Sequence, residues 1–344
     1  MAERVTSIQV ARRAGVSQSA VSRVYTEGAS VSKKTQDKVR KAASELGYRP
    51  NVLARAMVSG KSRIIGLVVA YLENYFYPEA VEKFSKVLQE RGYHVMIFMA
   101  SQTASNIDGV MEEILDYQVD GIIMASAEMS SVLTKRCQLA GVPVVLFNRS
   151  QDRAGISAVT SDNVAGGRKV AELFIAGEHS HIAYIAGWEA ASTQRDREAG
   201  FMSGLESAGR RLVDRQVGNY DVDTAKQAAL RMFDRPSDRR PDAVFVANDH
   251  MAIAVMDVLR HQLGLSVPED VSVVGFDDVP PASWAAYSLT TVRQRANVMV
   301  EKTVTTLLHQ IENRATTAQR LTIDCPLIIR KSARVPEGWN DERL

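Results

Sequence analysis

Residues Thr6 to Val24 read TSIQVARRAGVSQSAVSRV. Thr6 and Gln9 have the spacing of a capping box, in which hydroxyl and amide side chains satisfy the backbone donors that a helix start leaves unpaired. A first helix therefore begins there, with Ile8, Val10, Ala11 and Ala14 as its small apolar face. Gly15 can take the left-handed conformation that a sharp turn requires. Ser17 is the natural N-cap of a second helix, whose inner face is Ala20, Val21 and Val24. Gln18, Ser19, Ser22 and Arg23 are left pointing outward. A third helix follows the Ser32 cap, carries Val39, Ala42, Ala43 and Leu46 as its apolar stripe and stops at Gly47. Three short helices then share one small core.

A solvated charged face is the commoner explanation for a lone helix-turn-helix pattern. Three features favour nucleic acid instead. Gln18 and Arg23 can make paired hydrogen bonds to adenine and guanine edges in a major groove. No acidic side chain occurs from residue 4 to 26. Residues 1–62 hold 12 Lys and Arg against 4 Asp and Glu, net +8, so the remaining chain carries −6 of the overall +2. Positive charge gathered at one end supplies phosphate attraction to a head on a body that lacks it.

Beyond the third helix, Pro50 ends the preceding element, Asn51 can cap a further helix and Gly60 can end it. That helix has about two turns, and helices shorter than ~12–15 residues are marginal alone, so it needs a partner chain or DNA. Leu53, Ala54 and Met57 share one of its faces. Two roles stay open for them: packing against the protein, or insertion of an apolar wedge between base steps in a minor groove.

From residue 64 the chain alternates apolar runs with helix-length segments: IIGLVVA, HVMIFMA, DGIIMAS and PVVLFN, then HIAYIAG, DAVFVAND and VSVVGFDD. Such near-continuous Ile- and Val-rich runs indicate buried parallel strands covered on both faces, a doubly wound α/β body. The two groups suggest two lobes, and ligands of such folds bind beyond the carboxyl ends of the strands. The residues just after the runs are Tyr71 and Asn74 to Tyr77, with Tyr75 and Phe76 among them, then Asn148 and Arg149, Asn248 and Asp249, and Asp277 and Asp278. A cap or loop role is the ordinary reading of any one, but their repeated placement favours a shared cleft. Aromatic walls with amides, carboxylates and arginine suit a hydroxyl-rich small molecule.

At 344 residues the chain is long enough for two or three domains, and 45% hydrophobic with 24% charged residues is ordinary for a globular protein. Cys137 and Cys325 lack the spacing of a zinc site or a disulfide framework and read as buried small residues. No apolar run reaches the ~18 residues of a membrane span, and the N-terminus lacks a signal-peptide pattern, so a cytoplasmic location and no membrane partner are expected. Ser59 to Ser62 looks like half a phosphate-binding loop, but Arg55 stands at its first glycine position and a strand follows where a helix is needed. His179 and His181 have no further ligands nearby. No metal, no cofactor and no catalytic constellation is expected, so the chain reads as not an enzyme.

VTSIQVARRAGVSQSAVSRV, followed by VSKKTQDKVRKAASELGYRPNVLARAM, closely resembles the headpiece and hinge of the lactose-repressor (LacI/GalR) family of bacterial transcription factors, and the resemblance continues to LIIRKSARVP near the C-terminus. It implies a helix-turn-helix DNA-binding domain at 1–49, a hinge helix and linker at 50–62, and an effector-binding and dimerisation domain at 63–344. That body resembles periplasmic sugar-binding proteins, with lobe one at about 63–162 and 294–325 and lobe two at about 163–293 and 326–344. It also implies a homodimer on a palindromic double-stranded operator, probed by Thr6, Ser17, Gln18, Ser19, Arg23, Asn51, Ala54 and Met57. Gln18, Ser19 and Arg23 would read bases, Ser17 would hold phosphate, and Met57 stands where the family usually has its wedge leucine. Ala20 replaces a common threonine and Thr26 a common asparagine.

For the cleft, the resemblance adds Arg197 and Tyr220, and implies that Arg197 and Asp277 hold effector oxygens. The usual aspartate after the first strand is Tyr71 here. Asn148 in place of an acid, with Arg149 and Arg197, admits a sugar, a sugar acid or a sugar phosphate. Tetramers of this family use an added leucine-heptad helix, whereas ARVPEGWNDERL is short, polar and interrupted by Pro336 and Gly338, so a dimer is expected. The expectation is thus a repressor under a small sugar-like effector. The competing readings are a sugar-binding protein and an α/β enzyme, neither with a DNA role; a mobility shift on a palindromic duplex separates the first from both.

Overall fold

The computed structural model describes residues 5–26, 29–49, 61–100, 104–125, 130–151, 155–313 and 317–339. The chain divides into two units, Met1–Arg63 and Ile64–Leu344. In the first, helices α1 (Ser7–Ala14), α2 (Gln18–Val24) and α3 (Lys33–Leu46) form where the caps placed them. The Thr6 N–H donates to Gln9 Oε1 at 2.8 Å and the Gln9 N–H to Thr6 Oγ1 at 3.4 Å, so both arms of the capping box are made. Ser17 and Ser32 accept from the third residue beyond each, and Gly15 turns the chain at φ 66 between α1 and α2. The core is Val10, Ala11, Val21, Val39, Ala42 and Ala43, rimmed by Ala14, Val24, Tyr25, Leu46 and Tyr48. Ile8 departs from the expected apolar face and is 53% exposed. At 100° per residue it lies about 115° from the centre of the arc that Val10, Ala11 and Ala14 define. The hinge segment, with Asn51, Ala54 and Met57, lies outside the described residues.

In the second unit strands and helices alternate: β1 (Ile64–Val69), α4 (Phe76–Glu90), β2 (His94–Met99), α5 (Ala104–Asp116), β3 (Gly121–Ala125), α6 (Ser131–Ala140), β4 (Val144–Phe147) and β5 (Ser157–Ser161). There follow α7 (Asn163–Ala176), β6 (Ile182–Ala186), α8 (Ser192–Ser207), β7 (Asp214–Val217), α9 (Val222–Phe233), β8 (Ala243–Val246), α10 (Asp249–Asp257), β9 (Ser272–Asp277), β10 (Thr290–Arg293), α11 (Ala296–Glu312), β11 (Arg320–Ile323) and β12 (Leu327–Ile328). Two six-stranded sheets result, ordered β11-β5-β4-β3-β1-β2 and β12-β10-β9-β8-β6-β7. Every pair is parallel except β10 with β12. The chain crosses between the lobes three times: after β5, between β10 and α11, and between β11 and β12.

Central strands such as β1, β3 and β9 are buried along their whole length, as their unbroken apolar runs require. HVMIFM reads the same way in sequence but is the edge strand β2, with Ile97 and Met99 about half exposed. The runs gave no warning of β5, β7, β10, β11 or β12, which are short, partly polar or both. Cys137 and Cys325 are free and buried. Among the described residues no helix is long and apolar enough to cross a membrane, and no three or more His, Cys, Asp or Glu side chains are grouped to hold a metal ion.

Candidate functional site

The outer face of α2 is built by its phase. Val21 takes the core, so Gln18, Ser19, Ser22 and Arg23 are exposed, and neither α1 nor α2 has an acid in its first turn. Ser17 Oγ caps Ala20 N and lies 2.9 Å from Ser19 Oγ, while Gln18 Nε2 donates to Ser7 Oγ at 3.1 Å. The Thr6 and Ser17 caps thus place two exposed helix starts beside the polar face. Donors, acceptors and positive charge on one protruding helix are what a major groove accommodates. Thr26, standing where the family commonly has asparagine, turns its hydroxyl back to the Ser22 carbonyl at 3.0 Å.

In the body, the carboxyl ends of both sheets converge on a small polar cleft between the lobes. Lobe one contributes Tyr71, Asn74, Tyr77, Asn148 and Arg149, and lobe two contributes Thr193, Arg197, Tyr220, Asn248 and Asp277. Nine of the thirteen cleft residues singled out from sequence therefore meet, from segments up to 206 positions apart. Tyr75 and Phe76 do not. Phe76 is buried and stacks on Phe147 with ring centroids 5.9 Å apart, and Tyr75 is 49% exposed. Asn74 and Tyr77 face the cavity in their place, because a helix start sends residues three apart to the same side.

Arg197 and Asp277 form the buried centre. Arg197 Nη2 lies 3.3 Å from Asp277 Oδ1, Gln294 Nε2 donates to the same oxygen at 2.7 Å, and Asn74 Nδ2 donates to Oδ2 at 3.0 Å. The rest of the guanidinium is held by Asn163 Oδ1 at 2.9 Å and the Ala247 carbonyl at 2.6 Å, over the Phe276 ring. Burial outweighs the pull of Arg197, Asn74 and Gln294, so the Asp277 carboxyl sits above its ordinary range. Burial likewise holds the Tyr71 and Tyr220 phenols protonated. Asp249, beside this centre, is pushed up to about 8 by burial and by the Asp277 charge; its oxygens accept from Thr291 Oγ1 at 2.5 Å and Val279 N at 2.9 Å.

Two amides have buried atoms without a partner. Asn248 caps α10, its Oδ1 accepting from Met251 N at 3.0 Å, which fixes Nδ2 as an unused donor. Asn148 donates to Tyr77 Oη at 3.3 Å and leaves Oδ1 unmatched. A buried polar atom without a partner costs about 1–3 kcal/mol, which a hydroxyl-bearing ligand would remove. The backbone is strained at the same place: Asn148, Tyr220, Asp277 and Asp278 all have positive φ. The Tyr220 ring packs where any side chain on residue 187 would stand, so Gly187 is required there.

Sequence reasoning missed Asn163, Thr193 and Gln294, none of which follows an apolar run. It also missed what aims Arg197. The α7 and α8 backbones approach closely at Gly167, Gly200 and Gly204, where a methyl on Gly167 would overlap the Arg197 carbonyl oxygen. That approach brings Asn163 on α7 to Arg197 on α8. Contacts that span the lobes include Asn74 to Asp277, Ser150 N–H to Ser192 Oγ at 3.0 Å, and the Arg149 guanidinium 5.6 Å from the Trp188 ring centroid.

Residues 8–51 match the model of bacterial regulatory proteins of the lacI family, and residues 171–333 match the periplasmic binding protein-like domain. The ribose operon repressor of Escherichia coli (strain K12) is 30% identical over 331 residues, covering 95% of this chain and 99% of that protein. The structure of the transcriptional regulator CelR in complex with cellobiose has 31% identity and a TM-score of 0.72, over 96% of this chain and 100% of that one. The lac repressor dimer bound to operator and the anti-inducer ONPF has 27% identity and a TM-score of 0.86, over 96% and 99%.

Proposed function

The chain belongs to the lacI family of bacterial regulatory proteins, and from that membership we propose that it represses transcription as a cytoplasmic homodimer on a palindromic operator, released or tightened by a small sugar. It is a DNA-binding transcriptional regulator with an effector-binding body, not an enzyme. The observation that carries the sugar reading is the cavity: ten polar or aromatic residues from two lobes surround it, with Asn148 Oδ1 and Asn248 Nδ2 buried and unmatched. Relatives named for ribose and solved with cellobiose support the same ligand class.

In this reading residues 1–49 read DNA, 50–62 are hinge and linker, and 63–344 bind effector and dimerise. Gln18, Ser19 and Arg23 contact base edges, with Thr6, Ser17, Asn51, Ala54 and Met57 as the further DNA positions. Tyr71, Asn148, Arg197, Tyr220, Asn248 and Asp277 surround the effector. Tyr75 and Phe76 stand apart from the cleft.

A ligand changes operator affinity only as far as it prefers one arrangement of the lobes. Contacts made from both lobes at once supply that preference. The test is a mobility shift of the full chain on a palindromic duplex, with and without a panel of pentoses, hexoses, sugar acids and sugar phosphates. Retardation that a sugar alters is the expected result. Failure to distinguish palindromic duplexes from random DNA would sink the operator reading.

A further inference from the structure

We propose that Gln294 is a positioning residue that couples the effector cleft to the crossings between the lobes, an inference that rests on the reading of Arg197 and Asp277 as the effector centre. Its side chain joins the ends of two strands in different lobes. Nε2 donates to Asp277 Oδ1 at 2.7 Å, at the end of β9, and Oε1 accepts from Ser161 Oγ at 2.8 Å, at the end of β5. An ionised carboxylate only accepts, so it faces the amide nitrogen and leaves the amide oxygen to take the Ser161 hydroxyl. The Gln294 N–H also donates to the Asp277 carbonyl at 3.1 Å. Gln294 and Ser161 are 4% and 2% exposed, and neither lines the cleft.

The lobes are joined by three crossings, and a change in their relative position has to be taken up in those few residues. The first and third are laced together: the Asp162 N–H donates to the Ile323 carbonyl at 2.8 Å, and Cys325 Sγ donates to the Asp162 carbonyl at 3.0 Å. Gln294 lies in the second, between β10 and α11, and its bond to Ser161 ties that crossing to the first. Asn163 makes a parallel tie, accepting from Arg197 Nε at 2.9 Å and donating to the Ser161 carbonyl at 3.0 Å. Both charges of the effector centre are thus one side chain away from Ser161. A ligand that moves Asp277 turns the Gln294 amide with it, and Ser161 then loses its acceptor. Contacts made differently in two arrangements of the lobes are what shift the balance between them.

The experiment measures ligand affinity and ligand response separately on the full chain. Calorimetry on DNA-free protein gives the first, and fluorescence anisotropy on a palindromic operator with and without D-ribose, D-glucose, D-gluconate, D-glucose 6-phosphate or cellobiose gives the second. Ser161→Ala is expected to bind the tightest of these within about threefold of wild type, while the change that it makes in operator affinity, typically about 5- to 150-fold between coupled sites, falls at least about fivefold. Gln294→Met is expected to lose the response to the same extent. An unchanged response in both variants, or a response that falls only in step with affinity, overturns the proposal. A ligand-free measurement decides it as well. Asp277 Oδ1 and Ser161 Oγ are linked through the Gln294 amide. The melting-temperature shifts of Asp277→Asn and Ser161→Ala are therefore expected to depart from additivity by at least about 2 °C, and to add once Gln294→Met is present. Additive shifts with Gln294 intact overturn the coupling whatever the ligand. If none of the five compounds alters operator binding while the departure from additivity is found, the sugar reading fails and the coupling stands.

Discussion

Asp277→Ala tests the buried centre of the cleft. The carboxylate accepts from Arg197 Nη2, Gln294 Nε2 and Asn74 Nδ2 at 3.3, 2.7 and 3.0 Å, and the Arg197 and Asp277 side chains are 3% and 2% exposed. Its removal leaves a guanidinium buried without its counter-charge, and breaking such a pair costs about 3–5 kcal/mol. At this domain size 1 kcal/mol is worth about 2 °C, so the ligand-free melting temperature is expected to fall by about 6–10 °C. Asn74→Ala provides the control. It removes the cross-lobe bond and the cap on Phe76 N but leaves the ion pair, for about 1–2 kcal/mol or about 2–4 °C. Arg197→Met with Asp277→Ala should be less destabilised than the sum of the single variants by at least about 1 kcal/mol, because neither charge is then stranded. Differential scanning calorimetry of wild type and the four variants, including Arg197→Met alone, reads all these quantities. Strict additivity, or a shift for Asp277→Ala no larger than for Asn74→Ala, would show that Asp277 does not hold Arg197.

Arg23→Ala is expected to relax specificity at one operator position, by about 1–3 kcal/mol of lost discrimination; in a binding panel of single-base operator variants, uniform weakening would instead place Arg23 on phosphate. Asp249, with its carboxyl pushed up to about 8, keeps a proton in the folded chain that the unfolded chain releases near pH 4. Its contribution is therefore complete below about pH 4 and lost as pH rises toward 8, so urea midpoints should fall across that range. Asp249→Asn, which cannot ionise, should flatten the fall; an equally steep decline in the variant would refute the assignment. Gly167→Ala places a methyl against the Arg197 carbonyl oxygen and 2.9 Å from Phe201 N, forcing α7 from α8 at a cost of about 1–3 kcal/mol or more. A melting temperature equal to wild type would mean that the helix approach is not constrained there.

The headpiece was legible because its determinants are local. A hydroxyl three residues before a backbone donor, a glycine at a left-handed turn and apolar residues repeating at helical spacing act within a few positions of one another. Thr6, Gly15, Ser17, Ser32 and Gly47 accordingly do what the sequence says. The central strands were legible for the same reason, since burial on both faces leaves its mark on each residue of the run. The ends of those strands then located most of the cleft, because a parallel sheet presents all of its carboxyl ends on one side.

Tertiary structure alone decided the rest. Whether Tyr75 and Phe76 or Asn74 and Tyr77 face the cavity depends on where α4 starts and how it turns on the sheet, and a shift of one residue is a rotation of about 100°. HVMIFM looks like a buried strand, yet it lies at an edge because strand order is set by pairing across the chain. The partners of Asp277 come from positions 74, 197 and 294, and Arg197 reaches it only because glycines let two helix backbones touch. A local pattern records which side of its own element a residue occupies. Contacts between elements far apart in sequence arise from the packing of whole lobes, and no neighbouring residue carries their imprint.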